Sequence, residues 1–85
     1  MLTFSAGELT VDVEVEGTDG EIRLIGELAP AQQATVVVRH ADGTTEVETD
    51  EDGRFRTGVL PAGPISLNLR LAVGGATVQT EWITL

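Results

Sequence analysis

Between Ile65 and Val73 the chain alternates without a break. Ile65, Leu67, Leu69, Leu71 and Val73 are apolar, and Ser66, Asn68, Arg70 and the small Ala72 stand between them. Successive side chains of an extended strand point to opposite faces, so this spacing gathers the large aliphatic groups on one side and leaves the other to solvent. Wound as a helix, the same residues would be scattered around the whole circumference. Residues 8–16 repeat the pattern with a sharper contrast: Leu9, Val11, Val13 and Val15 alternate with Glu8, Thr10, Asp12, Glu14 and Glu16. That is a half-buried strand with an acidic outer face.

The rest of the chain follows the same period. Gly17-Thr18-Asp19-Gly20 has turn chemistry, and a second strand covers about residues 21–28, with Ile22, Leu24 and Leu28 on one side. Pro30 and Gln32-Gln33 interrupt it. Strands over about 34–40 and 44–50 are joined through Ala41-Asp42-Gly43, and the next, over 54–60, turns Phe55 and Val59 inward. Asp42-Gly43 and Asp52-Gly53 are the strongest hairpin signals, because both residues accept positive φ at low cost. Pro61-Ala62-Gly63-Pro64 is a rigid turn into the 65–73 strand, and Gly74-Gly75 leads to a last strand, about 76–85.

In that last strand the parity slips: Val78 and Trp82 share one face while Ile83 and Leu85 share the other. A bulge near residues 80–82 accounts for this, and so does an end packed on both faces. No segment keeps a 3.6-residue period over three turns. Strands that recur about every 11 residues between Gly, Pro and Asp turns predict an all-β fold, a seven-stranded antiparallel sandwich formed by residues 1–85 as a single domain. Its predicted core is Leu9, Val11, Val13, Val15, Ile22, Leu24, Val36, Val38, Phe55, Leu67, Leu69 and Leu71.

Composition narrows the function. Fourteen carboxylates against five arginines, with no lysine, leave a net charge of −9. That field repels phosphate backbones, which excludes duplex nucleic acid as a partner and makes a basic protein surface the natural counterpart. Cysteine is absent, so disulfides and thiolate metal sites are absent with it. The first residues carry no basic and apolar leader pattern, and no apolar run approaches the roughly 20 residues that cross a bilayer. Read as a complete chain this predicts the cytoplasm; read as a piece of a longer one, the remainder carries that information.

Candidate chemistry is sparse. His40, the sole histidine, reads as a strand end entering a turn, and neither Ser5 nor Ser66 lies in a nucleophile-elbow context. Asp50-Glu51-Asp52-Gly53 is too short for a calcium loop, which needs about 6–8 oxygen ligands. The expectation is therefore no catalytic residue, no cofactor and no metal. Two features remain as candidate partner-binding residues. The acidic row Glu8, Asp12, Glu14 and Glu16 is either a solvated face, with Arg54, Arg56 and Arg70 as its ion-pair partners, or a docking strip for a basic protein. Trp82, with Ile83 and Leu85, either plugs the end of the sandwich or forms an exposed apolar anchor.

Three segments carry a resemblance. Leu24-Ile25-Gly26-Glu27-Leu28, Thr49-Asp50-Glu51-Asp52-Gly53-Arg54-Phe55 and Leu60-Pro61-Ala62-Gly63-Pro64-Ile65 stand in the order and spacing of carboxypeptidase-regulatory-like domains, which belong to the prealbumin-like (transthyretin-like) sandwiches. The likeness spans roughly residues 20–73. It implies a seven-stranded Greek-key sandwich serving as an accessory module. The ending Trp82-Ile83-Thr84-Leu85 is also similar to small proteins of GC-rich bacteria encoded near extracytoplasmic-type sigma factors and caspase-like peptidases.

The resemblance thus implies a non-catalytic interaction or regulatory module, with a sigma factor or caspase-like peptidase as the basic protein partner. The alternative it implies is an accessory carbohydrate- or surface-binding domain. Two relatives are excluded residue by residue. Hydroxyisourate hydrolases use several histidines and a Tyr-Arg-Gly-Ser ending, and this chain has one histidine and no tyrosine. Adhesin domains locked by a Lys–Asn isopeptide need a lysine, which is missing here.

Overall fold

A computed structural model of the chain describes residues 2–72, 74–75, 77–80 and 82–84. Among them are ten strands and no helix: β1 (Leu2–Ala6), β2 (Leu9–Thr18), β3 (Glu21–Ala29), β4 (Ala34–His40), β5 (Gly43–Glu48), β6 (Arg54–Arg56), β7 (Leu60–Pro61), β8 (Pro64–Leu71), β9 (Thr77–Gln79) and β10 (Ile83–Thr84). One sheet has the order β1-β2-β3-β6, with β7 also on β3; the other has the order β10-β8-β4-β5, with β9 also on β8. Every pairing is antiparallel. Each sheet therefore has four strand positions, and in each one edge position is shared by two short strands.

The all-β expectation stands, and the count of seven does not. One added strand is β1, whose Leu2 and Phe4 are half-buried against the core while Thr3 and Ser5 are exposed. The others come from splitting. Three residues after β6 oppose only two of β3, since Ile25 pairs with Arg56 but Ile22 pairs with Leu60. The last strand slips in the same way against β8: Asn68 pairs with Gln79, and Ile65 pairs with Ile83. Each slip is a one-residue bulge. At the second, the bulge accounts for the parity change in the sequence. At the first, it reverses the expectation for Val59, which is 51% exposed while Leu60 is buried.

Turn chemistry is also redistributed. A two-residue hairpin joins β2 to β3 at Asp19-Gly20, where φ is 52° and 80° and Thr18 pairs with Glu21. Positive φ at both central residues matches the strand twist. Gly17 consequently belongs to the strand rather than the turn. Asp52-Gly53 makes no hairpin, because β5 and β6 lie in different sheets. Its loop crosses between them, held by Asp50 Oδ1, which accepts the backbone N–H groups of Asp52 and Arg54 at 2.9 Å each.

The two inner faces meet in a core of Leu9, Val11, Val13, Ile22, Leu24, Leu28, Ala34, Val36, Val38, Phe55, Leu60, Ile65, Leu67 and Leu69. Val15 and Leu71, predicted within it, pack half-buried at its margin. Val73 lies outside the described residues.

Three buried threonines share one role at the ends of β5, β6 and β9. Thr49 follows β5, Thr57 follows β6 and Thr80 follows β9. Each donates its N–H to a carbonyl of the neighbouring inner strand: Thr49 to Ala34 (3.0 Å), Thr57 to Leu24 (2.9 Å) and Thr80 to Leu67 (2.9 Å). Each then accepts that same residue's N–H on its hydroxyl, at 2.7, 3.0 and 2.9 Å in the same order. The hydroxyl replaces the threonine's own carbonyl in the ladder. The backbone is freed to turn away, and no buried donor is left unpaired.

Thr57→Val keeps the shape and removes the acceptor, so it should cost about 1–3 kcal/mol in denaturant unfolding, while Thr57→Ser should retain most of the stability. Equal losses for the two would contradict this role.

Candidate functional site

The outer face of the β1–β2–β3–β6 sheet carries the acidic row, and the pairing fixes what surrounds it. Asp12 lies between Thr3 of β1 and Glu27 of β3; Glu14 is opposite Ile25, and Glu16 opposite Arg23. One strand further, Ile25 and Glu27 face Arg56 and Arg54. Glu8 is off the strand, exposed in the turn between β1 and β2.

This face is polarised. Three carboxylates and no cation project from β2, next to the uncharged β1, while Arg54 and Arg56 lie on β6 at the opposite edge. β6 is two strand spacings from β2, about 10 Å. Among the described residues the one salt bridge joins Arg54 to Glu27 at 3.8 Å, between side chains 64% and 57% exposed. A pair so open to solvent contributes only about 0–1 kcal/mol. The arginines therefore do not neutralise the row as the sequence predicted: Arg54 is taken by a β3 carboxylate, and Arg70 lies on the other sheet between Thr35 and Thr77. Among the described residues Asp12 alone of the row has a side-chain hydrogen-bond partner, the Thr3 hydroxyl, which donates to Oδ1 at 2.8 Å.

Trp82 does not plug the sandwich, for it is 53% exposed. Ile83, next to it, pairs with Ile65 and packs half-buried on the core. Trp82 precedes β10 and is exposed while Ile83 is packed on the core, so the two do not form a single exposed anchor. Leu85 lies outside the described residues. Extending the Ile83–Ile65 register by one residue sets Trp82 beside Ser66, which is fully buried. Among the described residues the Ser66 hydroxyl has no hydrogen-bond partner. Trp82 directly precedes β10 of the second sheet, while Asp12, Glu14 and Glu16 lie on the outer face of the first.

Ile83 instead lines a crevice of about 350 Å³ on the side where β1 of one sheet faces β9 and β10 of the other. Phe4, Leu9, Val11 and Val78 contribute its remaining apolar wall. The sequence reading missed this feature. Its signal was the alternation of Leu2, Thr3, Phe4 and Ser5, too short to stand out beside the longer strands.

The remaining candidates are engaged locally. The backbone N–H of Asp42 donates to His40 Nδ1 at 3.3 Å, which puts the proton of a neutral ring on Nε2, 2.9 Å from the Thr45 hydroxyl. Both ring nitrogens thus serve the β4–β5 hairpin. Asp50 organises its loop through the bonds given above. Among the described residues no group of three or more His, Asp or Glu side chains is placed to hold a metal ion, and no helix is long and apolar enough to cross a membrane. No protein-family model, curated protein or solved structure matches this chain.

Proposed function

We propose that the domain is a non-catalytic protein-interaction module that docks a basic protein surface on the β2 side of its first sheet. The observation that carries this reading is the polarised face. Asp12, Glu14 and Glu16 have no cation within ion-pair distance among the described residues: Arg54 and Arg56 lie two strands away on β6, and Arg23, opposite Glu16 on β3, makes no ion pair with it. Carboxylates so arranged steer a positive partner towards one edge and set its orientation. The family part of the proposal is a carboxypeptidase-regulatory-like, prealbumin-like Greek-key sandwich. It rests on the three segments that form β3, the β5–β6 crossover and the β7–β8 turn. A bacterial regulatory setting, with a sigma factor or caspase-like peptidase as the basic partner, belongs to the same proposal.

The test is capture on the immobilised domain followed by rate measurements on the purified pair. A basic partner whose association slows as salt rises from low to physiological supports the reading. A partner with an acidic surface, or a salt-independent association rate, contradicts it.

Trp82 marks a separate contact on the second sheet. Because its ring is half exposed, Trp82→Ala should leave folding stability within about 0.5 kcal/mol in thermal melts. A larger loss would mean that the ring packs on the core. The second reading, a carbohydrate- or surface-binding domain, draws on this same exposed ring. Polysaccharide binding lost in Trp82→Ala would favour it.

A further inference from the structure

We propose that docking occurs by strand addition: β1 accepts an extended segment of the partner in which basic and apolar residues alternate. This rests on the basic-partner reading and specifies how the partner is held.

The four sheet edges are not equivalent. An exposed edge invites pairing with another chain unless charges, proline or bulges block it. β5 carries Glu46 and Glu48. The β6–β7 edge carries Arg54, Arg56 and Pro61 and is broken by the slip after β6. The β9–β10 edge is broken by its own slip. β1 has none of these devices. It reads Leu2-Thr3-Phe4-Ser5-Ala6, uncharged, in unbroken register with β2 over all five residues. Among the described residues it pairs with β2 alone.

The surroundings of β1 specify the occupant. On the inner side lies the apolar crevice between Phe4, Leu9 and Val11 and, across the gap, Val78 and Ile83. A strand laid along β1 would direct alternate side chains over that opening, so those positions need to be apolar. On the outer side an added residue beside Thr3 would stand two strand spacings, or about 10 Å, from Asp12, with Glu14 further along β2 past the end of β1. An arginine or lysine side chain spans that distance; Arg54 and Arg56 are on the far edge, and Arg23 stands opposite Glu16 rather than Asp12. A second copy of the chain fits less well, because it brings its own charge of −9 to the seam.

The probe is a blocked synthetic peptide of alternating arginine and valine, long enough to lie along β1, titrated into the protein by calorimetry with amide hydrogen exchange as the map. Strand addition predicts saturable binding and slowed exchange within residues 2–6. It also predicts a loss of affinity of about tenfold or more when every peptide nitrogen is methylated, since the charges remain but the peptide can no longer donate main-chain hydrogen bonds to β1 and the methyl groups crowd the edge. An arginine–serine peptide should likewise bind more weakly.

Equal binding of the methylated and unmethylated peptides overturns strand addition and leaves the basic-partner reading standing on charge alone. Absence of binding by either overturns strand addition, while the salt dependence of the captured partner decides the broader reading separately. Self-association of the chain through β1 without peptide overturns the chosen occupant.

Discussion

Gly26→Ala should destabilise the domain by about 3–5 kcal/mol, comparable to removing a buried phenylalanine. Gly26 sits opposite Phe55 across β3 and β6, and the far end of the ring occupies the space that a Cβ on Gly26 would need, so an added methyl group would overlap the ring atoms. Phe55 is only 3% exposed, so moving the ring aside means repacking the core around it. A domain of this size has about 5–15 kcal/mol in total, so the variant should be partly unfolded near physiological temperature. Urea unfolding measures the loss. Phe55→Leu combined with Gly26→Ala should be more stable than the two separate losses predict, because the smaller side chain leaves room for the methyl group. A loss below about 1 kcal/mol for Gly26→Ala would mean that the ring is not seated on the glycine.

Leu69→Ala should cost about 2–5 kcal/mol. Leu69 is fully buried in β8, paired with Val36 on one side and Val78 on the other. Its neighbours are themselves held in ladders and cannot close around the cavity. For a domain of this size each kcal/mol lowers the melting temperature by about 4–8 °C, so a thermal melt resolves the effect readily. A loss under about 1 kcal/mol would remove Leu69 from the centre of the core.

Why was the core legible while the edges were not? β2, β3, β4 and β8 are long strands with one buried face, and burial is what writes the period of two into a sequence. Their inward residues were read correctly from alternation, with Leu28, Ala34, Leu60 and Ile65 as additions to the predicted core. Edge positions have fewer constraints. β1 is five residues long, and β6, β7, β9 and β10 have three or two each. No periodicity can be read from runs so short.

The bulges were legible only where they forced apolar residues out of phase, as before Ile83. At residues 57–59 the slip was hidden, because Val59 looked like a continuation of Phe55. Thr49, Thr57 and Thr80 carried no signal at all: a threonine that substitutes for a carbonyl has the same letter as one on the surface.

The acidic row was legible as a pattern, and its isolation from the arginines was not. Which carboxylate an arginine meets depends on strand order, and strand order is decided by connections that cross between sheets. That Trp82 stands beside the second sheet and the row on the first follows from the same cause.

The central claim is that one face, rather than total charge, recruits the partner. Its most direct test compares the association rates of two double variants with the captured basic partner. Glu14→Gln with Glu16→Gln removes two charges from β2, and Glu46→Gln with Glu48→Gln removes two from β5 in the other sheet. Net charge changes equally in both. The first pair should slow association by about tenfold at low salt and the second should leave it nearly unchanged, since steering depends on where the charge lies. Equal slowing by both pairs, or none by either, would contradict the account.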